Sequence, residues 1–136
     1  MTPALLASKL VDRFGASRVR RDVSLAPMTT FKVGGAADLF FEPRDSHELI
    51  EALELASRAE VPVTVLGGGS NVLIGDGGIR GLVVRPRLSS IALDSPGFVR
   101  AEAGVTINGL VRWLIVRGLS GLEAWAGTPG TVGGAV

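Results

Sequence analysis

Apolar residues at Leu6, Leu10 and Phe14 fall on one stripe, which predicts a helix over residues 2–14. Thr2 can cap that helix, Pro3 suits its first position, and Gly15 suits its stop. Residues 17–36 carry no helical period and end in Gly34-Gly35, so they read as an extended arm and a turn. Residues 37–42 read as a strand stopped by Pro43. Asp45 with Glu48 three residues on is a capping box, opening a second helix to about Ala59 with Leu49, Ile50, Leu53 and Ala56 inward. The β-branched run 63–66 predicts a short buried strand, and 82–84 predicts the next.

This is a β-α-β pattern with a glycine-rich stretch, 67–81, at the carboxyl end of its second strand. In open α/β sheets ligands usually sit at that end. Beyond Pro86 the pattern changes, and a subdomain boundary is expected there. Residues 90–94 and 98–103 flank the turn signal Ser95-Pro96-Gly97, and the second run alternates as in a hairpin with one wet face. A third helix follows, capped by Thr106, with Ile107, Leu110, Val111, Leu114 and Ile115 as its apolar face and Gly118 as its stop. Residues 118–136 have no periodicity. The sequence breaks off in Gly133-Gly134-Ala135-Val136, which reads as mid-loop and as a chain that continues.

Composition narrows the function classes. A chain of 136 residues with 46% apolar and 20% charged positions suits one ordinary globular domain. The net charge of +1 gives no electrostatic case for nucleic acid or an anionic membrane. No apolar run approaches the ~18 residues of a membrane span. The first fifteen residues are broken by Ser8, Lys9, Asp12 and Arg13, which makes a poor signal peptide, so a cytoplasmic address is the default expectation. With no cysteine and one histidine, thiolate and multi-histidine metal sites are excluded. The remaining oddity is clustered glycine, 19 of 136 against a usual ~7%.

Two glycine clusters are candidate ligand loops. The first is Val65-Leu66-Gly67-Gly68-Gly69-Ser70-Asn71-Val72-Leu73. Three glycines after a strand let backbone N–H groups face an anion, and Ser70 and Asn71 add side-chain donors. It has neither the lysine of a Walker-A loop nor the G-x-G-x-x-G spacing of a Rossmann turn. Such a loop favours holding a dinucleotide pyrophosphate over hydrolysing a nucleotide; a tight structural turn explains it equally well. The second, Gly127-Thr128-Pro129-Gly130-Thr131-Val132-Gly133-Gly134, suits close approach of backbone to a ligand, or a structural turn. Together they suggest a ligand clasped between them. His47 reads as a solvated surface residue, Trp113 and Trp125 as core, and Asp76 as a turn residue. Arg80, Arg85 and Arg87 read as solvated or phosphate-screening. Glu123 is held open as a functional carboxylate. No Ser-His-Asp set or carboxylate pair stands out.

Three segments stand in the order and spacing of a known family. They are Thr29-Thr30-Phe31-Lys32-Val33-Gly34-Gly35-Ala36-Ala37, then Leu66 to Leu73, then Gly121-Leu122-Glu123 with Gly127 to Ala135. Over about residues 22–136 the chain resembles the N-terminal flavin part of the UDP-N-acetylenolpyruvoylglucosamine reductases. The resemblance implies an α+β fold, the FAD-binding fold of the vanillyl-alcohol oxidase and p-cresol methylhydroxylase type. In it two α+β subdomains hold FAD between them, here 22–86 and 87–136, the second incomplete, after an N-terminal helix and arm over 1–21. It further implies that Val65, Leu66, Gly67, Gly68, Gly69, Ser70, Asn71 and Val72 hold the FAD pyrophosphate. Gly127, Thr128, Pro129, Gly130, Thr131, Gly133 and Gly134 would line the opposite wall.

The implied reaction belongs to peptidoglycan precursor synthesis. NADPH is the reductant, and UDP-N-acetylglucosamine enolpyruvate is reduced to UDP-N-acetylmuramate by hydride from the flavin. The family's motif continues with an Asn-Ala-Gly-type segment, a Tyr-Arg motif, and later a proton-donating serine and a glutamate. None has a counterpart here, so no catalytic residue transfers to this chain, and alone it is expected to be inactive. Met28 stands where the family often has asparagine or histidine. No metal, nucleic acid, membrane or obligate protein partner is expected. Two other readings remain: an FAD oxidase or dehydrogenase of the same superfamily, which often attaches flavin through histidine or cysteine, and a non-catalytic nucleotide-binding module.

Overall fold

The computed structural model describes residues 3–136; the expected cap at Thr2 lies outside them. Helix α1 (Pro3–Phe14) begins at proline and stops at Gly15, whose N–H donates to the Val11 carbonyl. Strand β1 (Val19–Ser24) leads through a 3₁₀ turn at Ala26–Met28 to β2 (Ala36–Phe41). Helix α2 (Ser46–Arg58) follows, then β3 (Val63–Val65) and β4 (Ile79–Val84). These strands form one sheet in the order β1-β2-β4-β3, with β1 antiparallel to β2 and β2, β4 and β3 mutually parallel. Strands β5 (Ile91–Ser95) and β6 (Phe98–Ala101) form a separate antiparallel hairpin. Helix α3 (Ile107–Val116), a 3₁₀ turn at Glu123–Trp125 and a single helical turn α4 (Val132–Ala135) complete the chain.

The main sheet is buried on both faces, which explains its near-continuous apolar central strands. Leu39, Phe41, Leu82 and Val84 pack against Leu6 and Leu10 of α1 and Ala52 and Ala56 of α2. Phe14 stacks on Phe41 with ring centroids 4.6 Å apart. Phe40 and Val83 point the other way, into a second cluster with Leu25, Leu66 and Ile74. The β2–β4 register shifts between Ala37 and Leu39, and the Asp38 carboxylate occupies the irregularity. Its Oδ2 accepts from the Gly81 N–H at 2.9 Å, and its Oδ1 lies 2.6 Å from Arg80 Nη1.

Several expectations are corrected. Residues 19–24, expected only as part of an extended arm, form a strand that pairs with β2. Strand β3 is the sheet edge and not a buried strand: Val65 is 61% exposed, because β3 has β4 on one side only. Ile50 and Ile115, expected on apolar faces, are each 57% exposed, since neither α2 nor α3 has a neighbour on that side. The capping box is half formed. The Glu48 N–H donates to Asp45 Oδ1 at 2.9 Å, but the Glu48 carboxylate reaches back to the Arg44 N–H at 2.7 Å, one residue before the cap. Arg18 grips the same carboxylate through both terminal nitrogens, at 2.6 and 2.8 Å. That fork, with help from the Arg44 amide, holds the Glu48 carboxyl at about 2, below its ordinary 4.5. Of residues 133–136, expected as mid-loop, 133–135 belong to the helical turn α4, whose Gly134 N–H is capped by the Thr131 hydroxyl.

Candidate functional site

Strands β2, β3 and β4 are parallel, so their carboxyl ends lie side by side. The chain leaves β3 into Leu66-Gly67-Gly68 and leaves β4 into Arg85-Pro86-Arg87. These two exits form one bank of a cleft of about 650 Å³. The other bank is Ala103, Gly104, Thr106, Gly130, Thr131, Gly133 and Gly134. It is stitched together by backbone bonds: Ile107 N–H to the Gly130 carbonyl at 3.1 Å, Val132 N–H to Val105 at 2.8 Å, and Gly133 N–H to Ala103 at 2.9 Å. A β-bridge joins Thr106 to Thr131. The banks meet at their glycines: a Cβ at Gly68 would lie 3.5 Å from Gly130 Cα.

The structure thus brings the two glycine loops together. Of the first loop, Val65, Leu66, Gly67 and Gly68 line the cleft; of the second, Gly130, Thr131, Gly133 and Gly134 do. Among the described residues, the N–H groups of Gly67, Gly68 and Ser70 donate to no protein acceptor. Gly69 lies behind the cleft. It has φ +69°, and a Cβ there would collide with the Met28 carbonyl oxygen. Its own carbonyl accepts from the Thr30 N–H at 3.0 Å. The segment around Met28–Thr30 is therefore a strut beneath the first loop. Thr29 stiffens that strut: its Oγ1 lies 3.2 Å from both the Ala26 and the Val33 carbonyl oxygens, which share its one O–H donor.

Ser70 does not line the cleft, although its Oγ would lie 3.1 Å from a Cβ at Gly130. Asn71 is exposed, and Val72 packs on the Leu25–Phe40 cluster instead of facing the cleft. Gly127 donates to Asn108 Oδ1 at 2.7 Å and Thr128 donates to the Trp125 carbonyl, so both are tied to the α3 side; Pro129 is exposed.

The remaining candidates separate. His47 is exposed on α2 and lies 3.5 Å from Glu51. Trp113 is half-buried, with the Arg117 guanidinium 3.8 Å from its ring centre. Trp125, expected in the core, is 50% exposed, because nothing on its outer side covers the turn that carries it. Glu123 is exposed; backbone N–H groups, its own and that of Gly121, lower its carboxyl below the usual range, which fits a turn-closing role. Asp76 sits in an exposed turn. Arg80 is occupied by Asp38 and by the Ala36 and Gly77 carbonyls.

Pro86, Ser89, Ala103, Gly104 and Thr106 line the cleft but carried no chemical signal in the sequence. Gly104 alone gave a hint: it is a glycine at a strand end, and a Cβ there would collide with the Leu88 carbonyl oxygen.

Comparison with known proteins decides the family. The family described as FAD binding domain matches residues 37–136. The chain belongs to this FAD-binding domain family. As an FAD-binding domain it is similar to UDP-N-acetylenolpyruvoylglucosamine reductases, including that of Rubrobacter xylanophilus (50% identity over 117 residues, 85% of this chain). The reductase of a Synechococcus is 45% identical over 122 residues, 89% of this chain. The chain spans 39% of the length of each of these relatives. Among solved structures it is similar to the same reductase from Thermus caldophilus, with TM-score 0.70 and 36% identity over 87% of this chain and 41% of that one. The fold, but not a common function, extends to p-cresol methylhydroxylase, with TM-score 0.63 and 18% identity over 91% of this chain and 28% of that one. The domain therefore has the α+β FAD-binding fold that the family resemblance implied.

Proposed function

We propose that this chain is the FAD-holding part of an NADPH-dependent reductase that converts UDP-N-acetylglucosamine enolpyruvate to UDP-N-acetylmuramate, a cytoplasmic step in making peptidoglycan precursors. The reading is supported above all by the convergence of two glycine loops on one cleft. The donor set fits a dinucleotide pyrophosphate: backbone amides at Gly67 and Gly68 with no partner among the described residues, two arginines, and no carboxylate among the cleft's lining residues. In this reading the subdomain 22–86 supplies most of one bank, with Arg87 just past its boundary, and 87–136 supplies the other bank.

In this reading Gly67 and Gly68 bring N–H donors to the phosphate oxygens with no side chain between. Gly69 keeps that turn tight against Met28. Ser70 and Asn71 close the loop, and Val72 anchors it in the core. Thr131 holds α4 and the bridge to Thr106, so Gly130, Gly133 and Gly134 press their backbone toward the cofactor, with Gly127, Thr128 and Pro129 shaping the approach. Bound FAD supplies the hydride-transfer chemistry. Proton donation and substrate grip fall to parts of the enzyme outside these residues.

Gly68→Asp tests the cleft. Its Cβ has ordinary van der Waals room, so the fold survives while a carboxylate faces the phosphates. Purified wild-type protein should retain FAD and the variant should lose it, while the two apoproteins melt at the same temperature. Equal flavin content in both overturns the site. For the activity, the complete gene product should oxidise NADPH only when the enolpyruvyl UDP-sugar is present; oxidation independent of that sugar overturns the reductase reading.

A further inference from the structure

The glycine loop supplies neutral donors, whereas a diphosphate carries two negative charges. The exit of β4 places cations beside that loop. Arg85 and Arg87 are two residues apart in an extended segment, so they share a side. Both are rooted by the backbone: the Arg85 N–H donates to the Phe41 carbonyl at 2.9 Å and the Arg87 N–H to Pro43 at 2.8 Å. Both line the cleft. Because Val65 of β3 is paired with Val84 of β4, the segments that carry Gly67-Gly68 and Arg85–Arg87 leave the sheet side by side and line the same cleft.

One carboxylate tethers these cations. Glu42 Oε1 accepts from Arg87 Nε at 3.0 Å and lies 3.9 Å from Arg85 Nη1, while Oε2 lies 3.4 Å from Arg20. One carboxylate shared by Arg85, Arg87 and Arg20 leaves this cluster with net positive charge, and Arg85 and Arg87 are its members at the cleft. Binding through Nε also leaves both terminal nitrogens of Arg87 without a partner among the described residues. A guanidinium held in this way offers a planar pair of donors that matches phosphate. Arg80, by contrast, is consumed by Asp38 and two carbonyls.

We infer that Arg85 and Arg87 form a cationic clamp for the pyrophosphate of the dinucleotide, working with the amides of Gly67 and Gly68. The inference rests on the reading of this cleft as the FAD site. Titration of the protein with FAD, followed by flavin fluorescence at low and high salt, tests it. Arg87→Ser and Arg85→Ser are each expected to weaken FAD binding about tenfold. The double variant should weaken it further and flatten the dependence on salt, which a purely structural defect would leave in place. Arg80→Ser removes the same charge away from the cleft and should bind like wild type. Should Arg85→Ser lower the melting temperature, the more exposed Arg87 carries the test. A double variant that binds FAD within twofold of wild type, with the same salt dependence, overturns the clamp, and so does an equal loss in Arg80→Ser. If Gly68→Asp still abolishes binding while the arginine variants do not, the site stands and only the clamp fails. If wild-type protein binds no FAD, the reading of the cleft fails and the clamp with it.

Discussion

The two banks of the cleft come from regions built very differently. Residues 3–88 enclose their own core: both faces of the four-stranded sheet are covered, and Phe40, Phe41, Leu82, Val83 and Val84 are fully buried. Residues 90–136 bury only Val105, Ile107, Val111 and Leu114. There Leu93 and Phe98 on the hairpin and Val116 on α3 remain exposed, and an apolar groove of about 330 Å³ separates the hairpin from α3. One bank is therefore a rigid sheet end. The other is a loop held by a few backbone bonds to Ala103, Val105 and Ile107. Precision in gripping an anion should come from the first bank and adaptability from the second.

Mutations can break or sharpen this contrast. Phe41→Ala should cost about 3–5 kcal/mol in urea unfolding, since it empties a fully buried site and removes the stack on Phe14. Gly69→Asp should cost about 3 kcal/mol, because an L-residue there is strained and collides with the Met28 carbonyl, in contrast to Gly68→Asp next door. Arg18→Ala should cost about 2 kcal/mol by stranding Glu48. Folding favours the ionised Glu48, so its contribution is whole above its ordinary 4.5 and is lost as pH falls toward 2. Unfolding measured across that window should show a slope that Arg18→Ala flattens. In the second region, Val116→Ser should change stability by under about 0.5 kcal/mol, as the side chain is 81% exposed. A cost near that of Phe41→Ala would mean that α3 is covered in solution and the contrast is false. Arg117→Ala should cost about 0.5 kcal/mol through loss of its stack on Trp113.

Local chemistry was legible in the sequence. The three long helices announced themselves by caps and stops: Asp45 and Thr106 at two starts, Gly15 and Gly118 at two ends. The glycine loops were legible as segments of close backbone approach, which a ligand loop and a tight turn share, and they do meet at Gly68 and Gly130. Strand β1 was not, since Arg20, Arg21 and Asp22 are the charges expected of an edge strand and erase its alternation. Asp22, at φ +50°, also interrupts its pairing with β2. Strand β3 looked interior because Val63-Thr64-Val65 is β-branched, and only the sheet order reveals it as an edge. The far bank at Ala103–Thr106 and the role of Thr29 depend on contacts between distant segments, which no local pattern encodes.

The strand order also sets a sequence of events for the newborn polypeptide. Strand β3 touches no strand except β4, so Val63–Val65 and the Gly67–Asn71 turn have no sheet to join until residue 84 is in place. The Leu66 amide, which donates to the Val84 carbonyl, can gain protection from exchange only then. The opposite bank waits for residue 134. If the cleft is the FAD site proposed above, the order of its parts in the chain makes it complete only after the β1–β2 pair and both banks are in place.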